Sequence, residues 1–367
     1  MEFRVGKQAL LTELNLLQGI VERKNTIPIL TNLLLEVDGQ SGISMIATDL
    51  DVSLQTECAA DVLKPGSALI QARKLFDIVR SLPDSDIAFE KEGGDWVKVT
   101  SGYSHFKLVA QAKEHFPSVA QAKPGLIELK PASLHGLISR TIFAITQEES
   151  RYALSGTLFL ISGSTATMVT TDAHRLAMAN CPLETPAEDV RLIVPRKALS
   201  ELLKLAASTD QPVVFSKDEN HIFFKFGQRQ LSSRMLAGQF PNYDMVIPKN
   251  NDKTLSISLD KLSQAIKRVA LMADERSHGI RFEIEDGTLT MTSQTADLGE
   301  SREIIQVDFK GPKVVVKFNA SYLIDFLNVV DTDDVLIELK DDQTPVLFRP
   351  AEGSAASYKY VVMPMRL

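Results

Sequence analysis

Leu10, Leu11, Leu14 and Leu17 share one side of a helical wheel, so the pattern predicts a helix over roughly 7–20 with a single apolar stripe. The alternating residues before it, EFRV, predict a short strand. This opening recurs twice. LIEL at 126–129 precedes Leu134, Leu137 and Ile138, with Ser133 as the expected N-cap; LSIS at 255–258 precedes Leu262, Ala265, Ile266 and Val269, with Ser258 in that role. Alternating β-branched stretches with Gly-containing turns follow, VDGQSGISMIATD and FEIEDGTLTMTS, and predict hairpins. VVFSKDENHIFFKFGQRQLSSRML predicts two strands around a polar turn.

A second helix follows in each third. In ARKLFDIVRSL (72–82), Leu75, Phe76, Ile78, Val79 and Leu82 cover one side while Arg73, Lys74, Asp77 and Arg80 take the other. The middle copy puts Leu199, Leu202 and Leu203 inside and Arg196, Lys197 and Lys204 outside, and Pro195 suits a first helical turn. The third, NASYLIDFLNVV, lacks these charges, but the helix after LSIS supplies Lys261, Lys267 and Arg268.

The registers agree across blocks: positions 48 and 171, 74 and 197, and 197 and 320 each lie 123 apart. A spacing kept by separate blocks means three copies of one α+β domain, expected at 1–122, 123–250 and 251–367. A chain of 367 residues exceeds what one core usually supports, which agrees. The joints, QAKPG and IPKNNDK, are short and polar, and argue for tight packing between domains.

The net charge of −7 argues against a polyanion partner until its distribution is read. Acidic residues gather in DSDIAFEKEGGD (84–95) and DTDDVLIELKDD (331–342), basic ones on the helix faces. On one helix such a face is ordinary solvated surface. Repeated around a common axis, it makes a concave positive wall suited to a phosphate backbone. If the domains close into a ring with helices inside and antiparallel sheets outside, six helices about 10 Å across leave too small a hole for a duplex, whereas twelve leave roughly 27 Å. The expected assembly is therefore a dimer around DNA. No helix-turn-helix signature, zinc-finger spacing or aromatic-rich basic run offers base-specific reading.

Other classes fare worse. No run approaches a membrane span and the N-terminus lacks signal-peptide form, so a cytosolic location is expected. Cys58 and Cys181 are isolated, which predicts inert thiols and no metal site. Asp172 and His174 lack a third partner, Ser155 is in no nucleophile elbow, and Walker, GxGxxG and HExxH motifs are absent, so neither catalysis nor a cofactor is expected. A peptide-binding scaffold that never touches DNA is the other rival.

TDAHRL (171–176), FPNYDMVIP (240–248) and the C-terminal YVVMPMRL (360–367) closely resemble the bacterial sliding clamps, the beta subunits of DNA polymerase III. TIPILTNLLLEV, ATDLD, ARKLFDIVRSLP and VPRKALSELL extend the likeness over the whole length. The resemblance implies a head-to-tail dimeric ring, opened by a clamp loader, that tethers the polymerase III alpha subunit, other polymerases and repair proteins through short linear peptides. It implies a groove walled by Leu154, Thr171, Ala173, His174, Arg175, Leu176, Pro241, Met245, Val246, Pro345, Val346, Val361, Val362, Met363, Pro364, Met365 and Arg366. Ala173 stands where the family commonly has glycine, and Met245 where a basic residue can occur. Methionine, valine and proline would give an adaptable trough for a leucine or phenylalanine anchor. The resemblance also implies a dimer contact of Phe106 and Leu108 against Leu271 and Met272, and DNA contacts at Lys24 and Tyr152, the latter with Glu148 nearby.

Overall fold

A computed structural model describes residues 1–367 except 22–26, 40–41, 93–94, 147, 149, 298, 352–356 and 367. Its α-helices are α1 (Lys7–Leu17), α2 (Ala72–Ser81), α3 (Pro131–Ser139), α4 (Arg196–Ala207), α5 (Leu259–Ala270) and α6 (Ala320–Leu327). Every one begins at or next to the end of a strand, for example Glu2–Gly6 before α1 and Val314–Asn319 before α6. The paired strands are antiparallel, and each helix buries the stripe that its apolar spacing dictates. In α5 that stripe is Leu262, Ala265, Ile266 and Val269, all buried.

The chain divides into two compact units. The first, residues 1–135 and 197–235, carries one thirteen-stranded sheet, because Arg229–Arg234 pairs with Val52–Cys58 and so continues the N-terminal hairpins. The second, residues 136–196 and 236–367, has a six-stranded and a four-stranded sheet. In the six-stranded sheet Tyr358–Val362 lies between Arg175–Pro195 and Val346–Pro350. Under it, Phe326 of α6 stacks on Tyr360 at 5.2 Å and 7° and packs against Tyr358 and Phe348.

Several details differ from the sequence reading. The segment from Val213 to Arg234 forms three strands, because Gly227 at φ 59° permits a second reversal. The third helix starts at Pro131, so Ser133 lies inside it and caps nothing. Pro195 ends a strand, and α4 starts one residue later. Ser258 is the N-cap of α5 but makes no side-chain cap bond, whereas Asn319 caps α6 by accepting from the Ser321 amide at 2.9 Å. Leu11, Phe76 and Leu203 are only half-buried; Phe76 sits at the stripe's rim with the Arg80 guanidinium 5.3 Å from its ring.

Two buried carboxylates escaped the pattern. Glu13 of α1 accepts from Arg229 Nη2 at 2.6 Å and Nε at 2.9 Å, and also from the Thr56 hydroxyl. Glu201 of α4 is buried beneath Lys204, which reaches it at 2.7 Å.

Candidate functional site

The strand Gly156–Thr171 reverses into Arg175–Pro195 through a turn built from its own side chains. Thr171 Oγ1 donates to the Arg175 carbonyl at 2.6 Å and accepts from the Ala173 amide at 3.1 Å. Asp172 Oδ1 accepts from the His174 and Arg175 amides, each at 3.0 Å. Ala173 is thereby held at φ 76°, a left-handed conformation in which glycine is unstrained. The same turn occurs 123 residues earlier: Thr48 and Asp49 make the equivalent bonds, with Leu50 at φ 84°. The repeat thus copies a turn down to its strained residue.

Arg175 ties this turn to α6. Its side chain is only 10% exposed and bonds Asp172 Oδ2 at 2.9 Å, Asp325 Oδ2 at 2.6 Å and the Phe143 carbonyl at 2.9 Å. The guanidinium lies 4.3 Å from the Tyr322 ring centroid and 5.4 Å from that of Phe143. Burial opposes its charge, but Tyr360, Asp325 and Asp172 outweigh burial and hold it more firmly protonated than a free arginine. Tyr322, Asp325 and Phe143 were not foreseen, since nothing in their own spacing marks them as partners of a residue so distant in sequence.

Strand register sorts the expected groove residues by face. Thr171 pairs with Leu176, Leu176 with Val361, and Val361 with Leu347, which places Leu176, Val361 and Leu347 in one cross-strand row. These three join Leu158, Val169, Ile193 and Phe240 in a buried cluster, against which Leu154, Tyr243, Val246 and Ile247 pack half-buried. This buried apolar cluster brings together Leu154, Leu176, Val246 and Val361 of the expected groove. Arg175, Val362 and Val346 form the next row, and pleating turns them to the opposite face; Val346 and Val362 are fully buried there. Leu347, one residue from Val346, is a member of this cluster that the expected groove did not include. Only partner register distinguishes the two.

Most of the other expected groove residues are more accessible. Ala173, His174, Pro241 and Arg366 are exposed, Met245 is 83% exposed, and Pro345, Met363, Pro364 and Met365 are half-buried. The C-terminal segment is fastened by the Met363 amide to the His174 carbonyl at 2.9 Å and by the Met365 amide to the Lys317 carbonyl at 2.8 Å.

The basic faces are less uniform than their spacing suggests. Arg73 and Lys74 on α2, and Lys261 and Lys267 on α5, are exposed and have no ion-pair partner among the described residues. Arg80 pairs with Asp77 at 3.3 Å, Lys204 with Glu201, and Arg268 with Glu303 through bonds of 2.7 and 2.9 Å. Lys197 is half-buried, paired with Asp49 and donating to the Ile20 carbonyl at 3.0 Å. Arg196 and Tyr152 are exposed, and Lys24 lies outside the described residues.

Two strand edges, among others in the described residues, lie beside the expected dimer contacts. Over 104–109, the strand Ser104–Gln111 pairs only with Trp96–Ser101, and it carries Phe106 and Leu108, both half-buried. Gly299–Gln306 is the edge of the four-stranded sheet, with Ile304 exposed; Leu271, just past α5, is 77% exposed and Met272 half-buried. No helix is long and apolar enough to cross a membrane, and among the described residues no group of three or more His, Cys, Asp or Glu is placed to hold a metal.

Models of the DNA polymerase III beta subunit match the chain in three parts: the N-terminal domain at residues 1–120, the central domain at 128–242 and the C-terminal domain at 244–366. The beta sliding clamp of Pseudomonas aeruginosa is 36% identical over 373 residues, and that of Escherichia coli strain K12 is 34% identical over 371, each match covering 100% of both chains. Among solved structures, a P. aeruginosa sliding clamp bound to griselimycin matches with a TM-score of 0.95 at 36% identity over 100% of both chains. A Bacillus subtilis DNA polymerase sliding clamp matches at 0.95 with 25% identity, over 100% of this chain and 99% of that one.

Proposed function

The chain belongs to the bacterial DNA polymerase III beta subunits, the beta sliding clamps, and on that footing we propose how this processivity factor acts through its own residues. Two copies close head to tail into a ring around duplex DNA, with the joint at Phe106 and Leu108 of one copy and Leu271 and Met272 of the other. The open strand edges support this joint, since each offers unpaired backbone groups beside apolar side chains, half-buried at Phe106 and Leu108 and exposed at Ile304 and Leu271. The expected domains are 1–122, 123–250 and 251–367. The protein works in the cytoplasm as a non-catalytic subunit; chemistry belongs to the polymerases it tethers.

DNA is held without sequence preference, by phosphate contacts alone, which permits sliding. Arg73, Lys74, Lys261 and Lys267 lead these contacts because they are exposed and have no ion-pair partner among the described residues. Arg80, Lys204 and Arg268 must first exchange a carboxylate for a phosphate, and Lys197 serves the fold. The trough of Leu154, Leu176, Val246, Leu347 and Val361 takes the apolar anchor of linear peptides from polymerases, the clamp loader and repair proteins, with His174, Pro241, Met245, Met363 and Arg366 at its rim.

The observation that carries this reading is the full-length likeness to sliding clamps joined to exposed cations on both α2 and α5 that have no ion-pair partner among the described residues. Reversing Arg73, Lys74, Lys261 and Lys267 to glutamate is expected to shorten polymerase products on a primed circle at least tenfold while leaving peptide binding intact. Unchanged product length would contradict the DNA contacts and favour a scaffold that acts through peptides only.

A further inference from the structure

Beyond Val361 and Leu347 the trough becomes a charged recess. The row Leu176, Val361 and Leu347 continues to Glu338, and the adjoining positions on the same face are Met178, Lys359 and Arg349. A cavity of about 360 Å³ opens there, sharing Ile247 and Leu347 with the apolar cluster and otherwise lined by Pro248 and charged side chains. Arg349 is already matched to Glu338, Nε to Oε1, at 2.5 Å. Lys249 and Lys359 have no ion-pair partner among the described residues, and Asp244 is the remaining carboxylate of the lining. With three cations to two carboxylates, the recess is locally positive on a chain whose net charge is −7.

We propose that this recess is a specificity subsite of the peptide groove, and that it receives an acidic side chain flanking the apolar anchor. The inference rests on the groove reading above and deepens it. Lys359 stands two residues from Val361 on one strand, about 7 Å along it, and Arg349 is on the neighbouring strand about 5 Å away. An extended peptide anchored over Val361 and Leu347 therefore brings a carboxylate to Lys359 within one to three residues. Arg349 holds its place through Glu338, which leaves the two lysines to meet the incoming charge. A basic residue at the same peptide position would face Lys249 and Lys359 without compensation, so the recess selects by repulsion as well as attraction.

The test uses synthetic, fluorescein-labelled peptides of one Leu-Phe anchor sequence, with glutamate or glutamine placed within three residues of the anchor on either flank, titrated against the full chain by anisotropy. On one flank the glutamate peptide is expected to bind about three- to ten-fold tighter than its glutamine twin at low salt, with the difference vanishing at high salt. In the chain carrying both Lys249→Glu and Lys359→Glu, the glutamate advantage should be lost or reversed while the glutamine peptide still binds. Equal binding of both peptides to the unmodified chain on both flanks, or a glutamate advantage that survives in the double variant, would overturn the subsite and leave the groove standing. Failure of every peptide to bind would overturn the groove and the subsite together.

Discussion

Arg175 shows how a groove residue named by resemblance is also a structural one. Its guanidinium compensates two carboxylates and donates to a carbonyl while nearly excluded from water. Arg175→Ala would leave Asp172 and Asp325 facing each other without their shared cation, so a loss of about 3 kcal/mol is expected in denaturant unfolding, with weaker peptide binding because the His174 turn loses its anchor. Arg175→Lys cannot reproduce the forked bonds and should recover only part of either. At Ala173, where φ is 76°, glycine removes the left-handed penalty, so Ala173→Gly should raise stability by roughly 0.5–1 kcal/mol. The same sign is expected for Leu50→Gly, at φ 84°. The two thiols are pushed up to about 11, Cys58 by burial and then Glu13, Cys181 by burial alone. At pH 8 only about one in a thousand is thiolate, so a thiol reagent should label neither cysteine until denaturant is added. Rapid labelling of the native chain would contradict the buried placement.

At the scale of elements, helical spacing marked α1, α2, α4 and α5 well because each has one apolar stripe and a polar back, and the stripe alone decides which face is buried. It failed where burial depends on a distant partner. Glu13 reads as a polar position on α1, yet Arg229 brings it inside with bonds of 2.6 and 2.9 Å. The two sheet faces were illegible for the same reason: Val346 and Leu347 are adjacent apolar residues, and pairing with Val362 and Val361 respectively is what assigns them to opposite faces of the sheet. Likewise the charge pattern found the basic helix faces but not Glu201, Glu303 or Asp49, which occupy some of those cations. Glu13→Gln should therefore cost about 3 kcal/mol in unfolding, and a double-mutant cycle with Arg229→Met should return much of it as coupling. Additive losses would show that the pair is incidental.

For the whole molecule, the 123-residue period gave three domains from the sequence alone, and the family models match it in three consecutive parts. Which surfaces join one copy to another is not encoded in that period. Leu271, 77% exposed on a short turn after α5, is a direct handle on the proposed joint. Leu271→Asp is expected to shift sedimentation from dimer toward monomer at micromolar concentration without changing the unfolding midpoint of the monomer. The function proposed for the protein is topological: it stays on DNA by encircling it, with cations that touch phosphates and no bases. The most direct measurement loads the chain onto a nicked circular plasmid with its clamp loader, isolates the complex, and then linearises the DNA. Retention on the circle and release through the free ends on cutting is the predicted result. Retention after linearisation, or dissociation from the intact circle as fast as from the linear form, would contradict it.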